Sequence, residues 1–141
     1  MHEKQVPIPQ GKYIPANRYG ALIYSAGMTP RQNGQLILTG QVSAAKPLEY
    51  YQEAVHIAAQ NALIAVQSLV LPQEKIAKII TMTVYINAET GYTQHAKLAD
   101  FASDYLCQEL GEAGVVSRAA IGVASLPGNA PVEIQIIAAV E

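Results

Sequence analysis

The sequence predicts a two-layer α+β domain, a mixed β-sheet carrying two helices on one face. Three observations lead there. Pro47–Leu71 and Thr93–Leu110 repeat apolar residues at helical spacing. Ile76–Asn87 (IAKIITMTVYIN) is β-branched almost throughout. Val116–Ala124 and Val132–Val140 are rich in Val, Ile and Ala and are separated by the turn Leu126-Pro-Gly-Asn-Ala-Pro131, so they read as a closing hairpin. The 141 residues fit one domain, 1–141, long enough to bury a core without disulfides or metals.

Taken in order, residues 1–17 carry Pro7, Pro9, Gly11 and Pro15 and predict an extended or turning arm, with a short strand near Val6–Ile8. Ala21–Met28 is a first strand, bounded by Tyr19-Gly20 and Thr29-Pro30. Asn33-Gly34 is a strong turn signal, because both central positions of a tight hairpin turn need positive φ. Leu36–Thr39 is expected to return against the first strand. Pro47 suits the first turn of the first helix and Pro72 stops it. Its buried stripe is Tyr51, Ala54, Val55, Ala58, Ala62, Ala65, Val66 and Leu69, and the alanines imply close packing on a sheet. His56 falls on the polar side and is expected in solvent. The strand Ile76–Asn87 belongs at the centre of the sheet. The second helix buries Leu98, Phe101, Ala102, Tyr105 and Leu106, and Gly111 ends it. Two helices cover only one face, so the other must meet solvent or another subunit.

Composition excludes several classes of function. Net charge is −2 and the basic residues are scattered, so nothing draws the chain electrostatically to nucleic acid. Half the residues are hydrophobic and only 14% are charged, a surface sparing enough to suggest a partner, such as a second copy. A single cysteine, Cys107, gives no disulfide framework and fits a reducing compartment. It falls beside the second helix's apolar stripe and is expected to be a buried structural thiol. The first residues lack a signal peptide's apolar core, and no apolar run reaches membrane-spanning length. The expected location is the cytoplasm.

His2, His56 and His95 have no metal-ligand spacing, so no metal is expected. No serine lies in a nucleophile-elbow context, and neither glycine-rich phosphate motif occurs. What stands out is a pair of charges in otherwise apolar strands, Arg118 and Glu133. Such charges are costly unless paired, wet or used. An arginine in an apolar cleft suits a carboxylate bidentately. A glutamate beside it could activate water, and Tyr13 of the arm could add a hydrogen bond. The alternative is that Arg118 and Glu133 both point to solvent at strand ends.

The stretch SRAAIGVASLPGNAPVEIQIIAAV resembles the signature of the RidA (YjgF) family. Tyr24-Ser-Ala-Gly-Met-Thr-Pro30 with its Asn-Gly turn is similar to that family's first strand, and Ala58-Ala-Gln-Asn-Ala-Leu63 to its first helix. The helix wording and Gly122-Val-Ala-Ser-Leu-Pro127 are closest to a divergent subgroup. The resemblance implies a chorismate-mutase-like fold, a homotrimer with three clefts between subunits, and sheets lining its inside. It implies hydrolysis of reactive enamines and imines, of the 2-aminoacrylate type, to 2-keto acids and ammonia without a cofactor. By position, Arg118 matches the arginine that binds the substrate carboxylate and Glu133 the glutamate that positions water. Tyr13 matches the arm tyrosine, and Ala120 would lend a backbone amide. A non-catalytic binder of small carboxylates or 2-keto acids is the alternative, and an endoribonuclease the less favoured one. Three departures bear on substrate rather than fold. Ala26 stands where a small hydroxyl residue is common, with Ser25 one place earlier. The helix-two asparagine falls near Leu98, and extra residues lie around Glu112–Gly114.

Overall fold

The computed structural model describes residues 5–141. A five-stranded mixed sheet carries two helices on one face. β1 (Ala16–Tyr19) and β2 (Leu22–Ser25) form a hairpin whose turn uses Gly20 at φ +62°. β3 (Arg31–Gln32) and β4 (Gln35–Leu36) form a separate small hairpin, with Asn33 at φ 52° and Gly34 at φ 80°. A short 3-10 turn, Leu48–Tyr51, leads into α1 (Gln52–Gln67). Then come β5 (Ile76–Asn87), α2 (His95–Leu110), β6 (Ser117–Val123) and β7 (Val132–Val140). The sheet order is β1-β2-β7-β5-β6.

β5 lies between β7, its antiparallel neighbour, and β6, which runs parallel to it. A parallel neighbour requires a crossover, and α2 supplies it. The expected C-terminal hairpin therefore does not form. β6 and β7 flank β5 on opposite sides, and Leu126–Pro131 carries the chain across the end of β5. Three smaller expectations also need correction. Leu36–Thr39 does not return against the first strand, because the Asn33-Gly34 turn closes a hairpin of its own. Val6–Ile8 forms no strand, whereas Ala16–Tyr19 does. The first long strand is regular only over Leu22–Ser25 and touches the sheet again at a single bridge, Met28 to Ile134.

The core lies between the helices and one face of the sheet. Ile23, Met82, Val84, Ile86, Ile134 and Ile136 are sealed beneath Val55, Ala58, Ala62 and Val66 of α1 and Leu98, Ala102 and Leu106 of α2. Each large side chain buried this way contributes roughly 1.5–3 kcal/mol. The alanines of α1 let the helix approach the sheet closely, as their periodicity implies. On the other face, Leu22, Tyr24, Tyr85, Ile121 and Ile137 stand open, Tyr24 at 42% and Ile121 at 44% exposure. This face is largely apolar and has no cover among the described residues.

Two expectations about single residues fail. His56 is not in open solvent: it sits partly buried between the helices, against Phe101 and Tyr105. Cys107 is exposed, because the buried stripe of α2 runs along Leu98, Ala99, Ala102, Tyr105 and Leu106 instead. At the far edge, Arg18 of β1 grips Glu74 with two bonds of 2.6 Å and also donates to the Leu69 carbonyl. These bonds pin the segment after α1 to the sheet. The Arg18 contact holds the Glu74 carboxyl down at about 2.

Candidate functional site

Glu133 belongs to β7, in register with Tyr85 of β5, and points to the open face. What surrounds it follows from an irregularity in β2. The β2–β7 ladder stops at Tyr24–Ile137, and contact resumes at Met28–Ile134. Between them Ser25, Ala26 and Gly27 arch away, in the manner of a bulge. Ser25 repairs the gap: its Oγ accepts the Ile136 N–H at 3.0 Å and its carbonyl accepts Gln135 Nε2 at 3.2 Å. The arch carries Gly27 over the Glu133 side chain. A Cβ at Gly27 would lie 2.8 Å from Glu133 Cδ, so any other residue there would push the carboxyl group aside. Glu133 is half-buried and makes no hydrogen bond or ion pair among the described residues, and burial pushes its carboxyl up from the usual value.

Arg118 lies on β6 in register with Met82 and faces α2. Its Nη1 donates to Asp100 Oδ1 at 2.8 Å and to Ser103 Oγ at 2.9 Å, and Nη2 donates to the Ala96 carbonyl at 3.2 Å. The guanidinium is thereby held along α2, with Nε–H and one Nη2–H left over. Neither charge is a solvated strand end, since the Arg118 side chain is only 20% exposed.

The two charges are not neighbours. Met82 is buried beneath the helices, whereas Tyr85, an odd number of positions along β5, points the other way. Arg118 and Glu133 therefore sit on opposite faces of one sheet, and a single chain does not bring them together. Ala120 lies on the Arg118 side, in register with Val84. Tyr13 lies in the arm, about half exposed, and its hydroxyl accepts the Gln10 N–H at 3.0 Å. The arm is tied down just beyond it, where the Ala26 N–H donates to the Pro15 carbonyl at 2.8 Å, beside Gly27. Pro15, two residues beyond Tyr13, is thereby held next to the arch that covers Glu133.

The departures resolve into structure. Ser25 spends its hydroxyl on β7, and Leu98 is fully buried core, so neither offers a polar group to a ligand. Glu112–Gly114 falls in a 3-10 turn between α2 and β6, with Gly114 pressed against the Leu106 backbone. Sequence reasoning missed Asp100 and Ser103, although their three-residue spacing puts both on one face of α2. It also missed the role of Gly27. Among the described residues no three His, Cys, Asp or Glu side chains gather as a metal site would need. His2 lies outside the described residues. No described helix is long and apolar enough to cross a membrane.

This order of strands, with two helices on one face and the other face open, defines a chorismate-mutase-like α+β protein. The profile of the Endoribonuclease L-PSP family matches residues 3–140, and the chain belongs to that family, the one also called YjgF or RidA. Its members are usually small and oligomeric. The chain is similar to Atu1372 of Agrobacterium tumefaciens, a protein of unknown function. The identity is 30%, the coverage 98% of this chain and 87% of that one, and the TM-score 0.86. A candidate endoribonuclease from Shewanella oneidensis is 26% identical over 96% of this chain and 90% of its own, at a TM-score of 0.87. The YjgF protein of Escherichia coli shares the fold, at 19% identity, 95% and 92% coverage and a TM-score of 0.71.

Proposed function

We propose that the protein hydrolyses enamines and imines of the 2-aminoacrylate type to 2-keto acids and ammonia. The clefts would form where copies of the chain meet. Glu133 carries this reading: a half-buried, unpartnered carboxylate with its pKa pushed up, roofed by a glycine, on a largely apolar face that has no cover among the described residues. Such a group is suited to take a proton and return it. Water would add to the imine carbon as Glu133 accepts its proton. That proton passes to the nitrogen to give a carbinolamine; the new hydroxyl then gives up its proton, by way of Glu133, to the amine as the carbonyl forms and the carbon–nitrogen bond breaks, so ammonia and the keto acid leave. Arg118, fixed by Asp100 and Ser103, would hold the carboxylate through its free Nε–H and Nη2–H. Tyr13 and the Ala120 amide would complete the cleft.

Because Arg118 and Glu133 occupy opposite faces, the site needs Arg118 from one copy and Glu133 from another. A homotrimer with three such clefts would also bury the apolar face. The reading places the protein in the cytoplasm and needs no cofactor. A pure binder of small carboxylates would keep Arg118 and have no use for Glu133. The family's endoribonuclease description finds little support in a net charge of −2.

The test is a coupled assay in which an amino-acid oxidase supplies fresh imines and keto-acid formation is followed. Wild type should accelerate the reaction, while folded Arg118→Ala and Glu133→Gln should not. No acceleration over several imines, with carboxylate binding intact, would favour the binder.

A further inference from the structure

We propose that Arg31 forms an anion-binding site separate from Arg118, taking the carboxylate or phosphate of a small organic molecule. Its groove lies between the N-terminal arm, the β3–β4 hairpin and α1, and encloses about 910 Å³. That is within the range of small-molecule sites.

The charge balance points to an anion. Among the described residues Arg31 is the sole charged one lining the groove, and it makes no ion pair there. Its Nη1 donates to the Gly34 carbonyl at 3.0 Å, which fixes the guanidinium against the hairpin turn. Its Nε is sealed and has no partner. Among the described residues Nη2 has no hydrogen-bond partner, and it lies beside Gly128, whose Cβ would stand 3.2 Å from it. With one carbonyl as acceptor and no described carboxylate beside it, the partly buried Arg31 charge is not neutralised, and a carboxylate or phosphate oxygen on its guanidinium would supply what the fold omits.

The remaining wall fits an anion with an organic body. Gln5, Gln10 and Gln60 line it as neutral polar side chains, with Gln10 Nε2 already donating to the Ile8 carbonyl at 3.1 Å, and Ile8 and Ile64 offer apolar contact. Asn61 holds the base of the site: its Nδ2 donates to the Thr29 and Arg31 carbonyls at 3.1 and 3.0 Å, so the backbone of β3 cannot swing away. Arg31, Gln60, Asn61 and Ile64 make no contact with Arg118 or Glu133 among the described hydrogen bonds and ion pairs, and only Gln10 borders the arm tyrosine, through its N–H to the Tyr13 hydroxyl.

The experiment titrates benzoate and phenyl phosphate, which share a body and differ in head group. Heteronuclear NMR of the full chain would follow the side-chain amides of Gln60 and Asn61. At millimolar concentrations one or both probes should shift these signals saturably. Arg31→Gln should weaken the stronger one about tenfold or more, and Arg31→Lys by less. The probe that loses more identifies the preferred head group. Lys78→Gln, which removes an exposed cation of β5 outside the groove, should shift these signals as wild type does. Absence of saturable shifts in wild type, or equal binding by folded Arg31→Gln, would overturn the assignment.

Discussion

Replacing Gly27 with alanine tests whether the arch exists to position Glu133. The new Cβ would stand 2.8 Å from Glu133 Cδ and 3.1 Å from Cγ, whereas ordinary contact begins near 3.4 Å. One carboxylate oxygen would stand closer still, so the carboxyl group must move by about 1 Å. It is free to do so, since no hydrogen bond holds it, so the cost should be that of an off-rotamer side chain, about 0.5–1.5 kcal/mol. Catalysis is less forgiving: a 1 Å misplacement can cost roughly 100-fold, so a fall of about 10- to 100-fold in turnover is expected. The assay pairs imine-coupled turnover with urea unfolding. Gly20→Ala is the control, since Gly20 sits at φ +62° with nothing within 4 Å. It should lose about 1 kcal/mol of stability and no activity. Full turnover in Gly27→Ala would refute the reasoning. So would a stability loss above about 3 kcal/mol, because Gly27 would then serve the fold itself.

Other expectations follow from the same geometry. Ile134→Ala, at a fully buried position of β7, should destabilise by about 2–5 kcal/mol in urea unfolding. Glu74 is held below its ordinary 4.5, at about 2, so its ion pair contributes stability above 4.5 that is lost as pH falls toward 2. The stability gap between wild type and Glu74→Gln should close over that window. Glu133 is raised from 4.5 by burial, so its ionised form burdens the fold above the raised value and not below 4.5. Glu133→Gln should therefore be more stable than wild type at neutral pH, an advantage that disappears in acid. The acid limb of turnover should likewise lie above 4.5, because the working base is the carboxylate.

The long elements were legible because burial writes a period into them. α1, α2, β5 and β7 stand close to where their apolar patterns end. β1 was hidden because Asn17, Arg18 and Tyr19 carry no strand alternation, and its pairing comes from the tight turn at Gly20. The C-terminal pair misled for a different reason. Six turn-like residues, Leu126–Pro131, suit a hairpin, but β5 is the best strand available and takes both β6 and β7 as neighbours. A clue lay in composition: β7 is nearly all apolar, as an interior strand should be, whereas β6 is small and polar enough for an edge. The candidate residues could be named from their charge in apolar surroundings. Their opposed faces could not, because the loop between the two strands erases the odd-and-even count that assigns sides.

That opposition has a genetic consequence. If each working cleft takes Arg118 from one copy and Glu133 from the next, every chain carries two half-sites that never serve the same cleft. Arg118→Ala and Glu133→Gln chains, each inert alone, would complement when denatured and reassembled together. With equal mixing, about one cleft in four would pair two intact halves. A cell holding two differently damaged copies of this chain would keep some of its activity, where a site built within one chain would leave none.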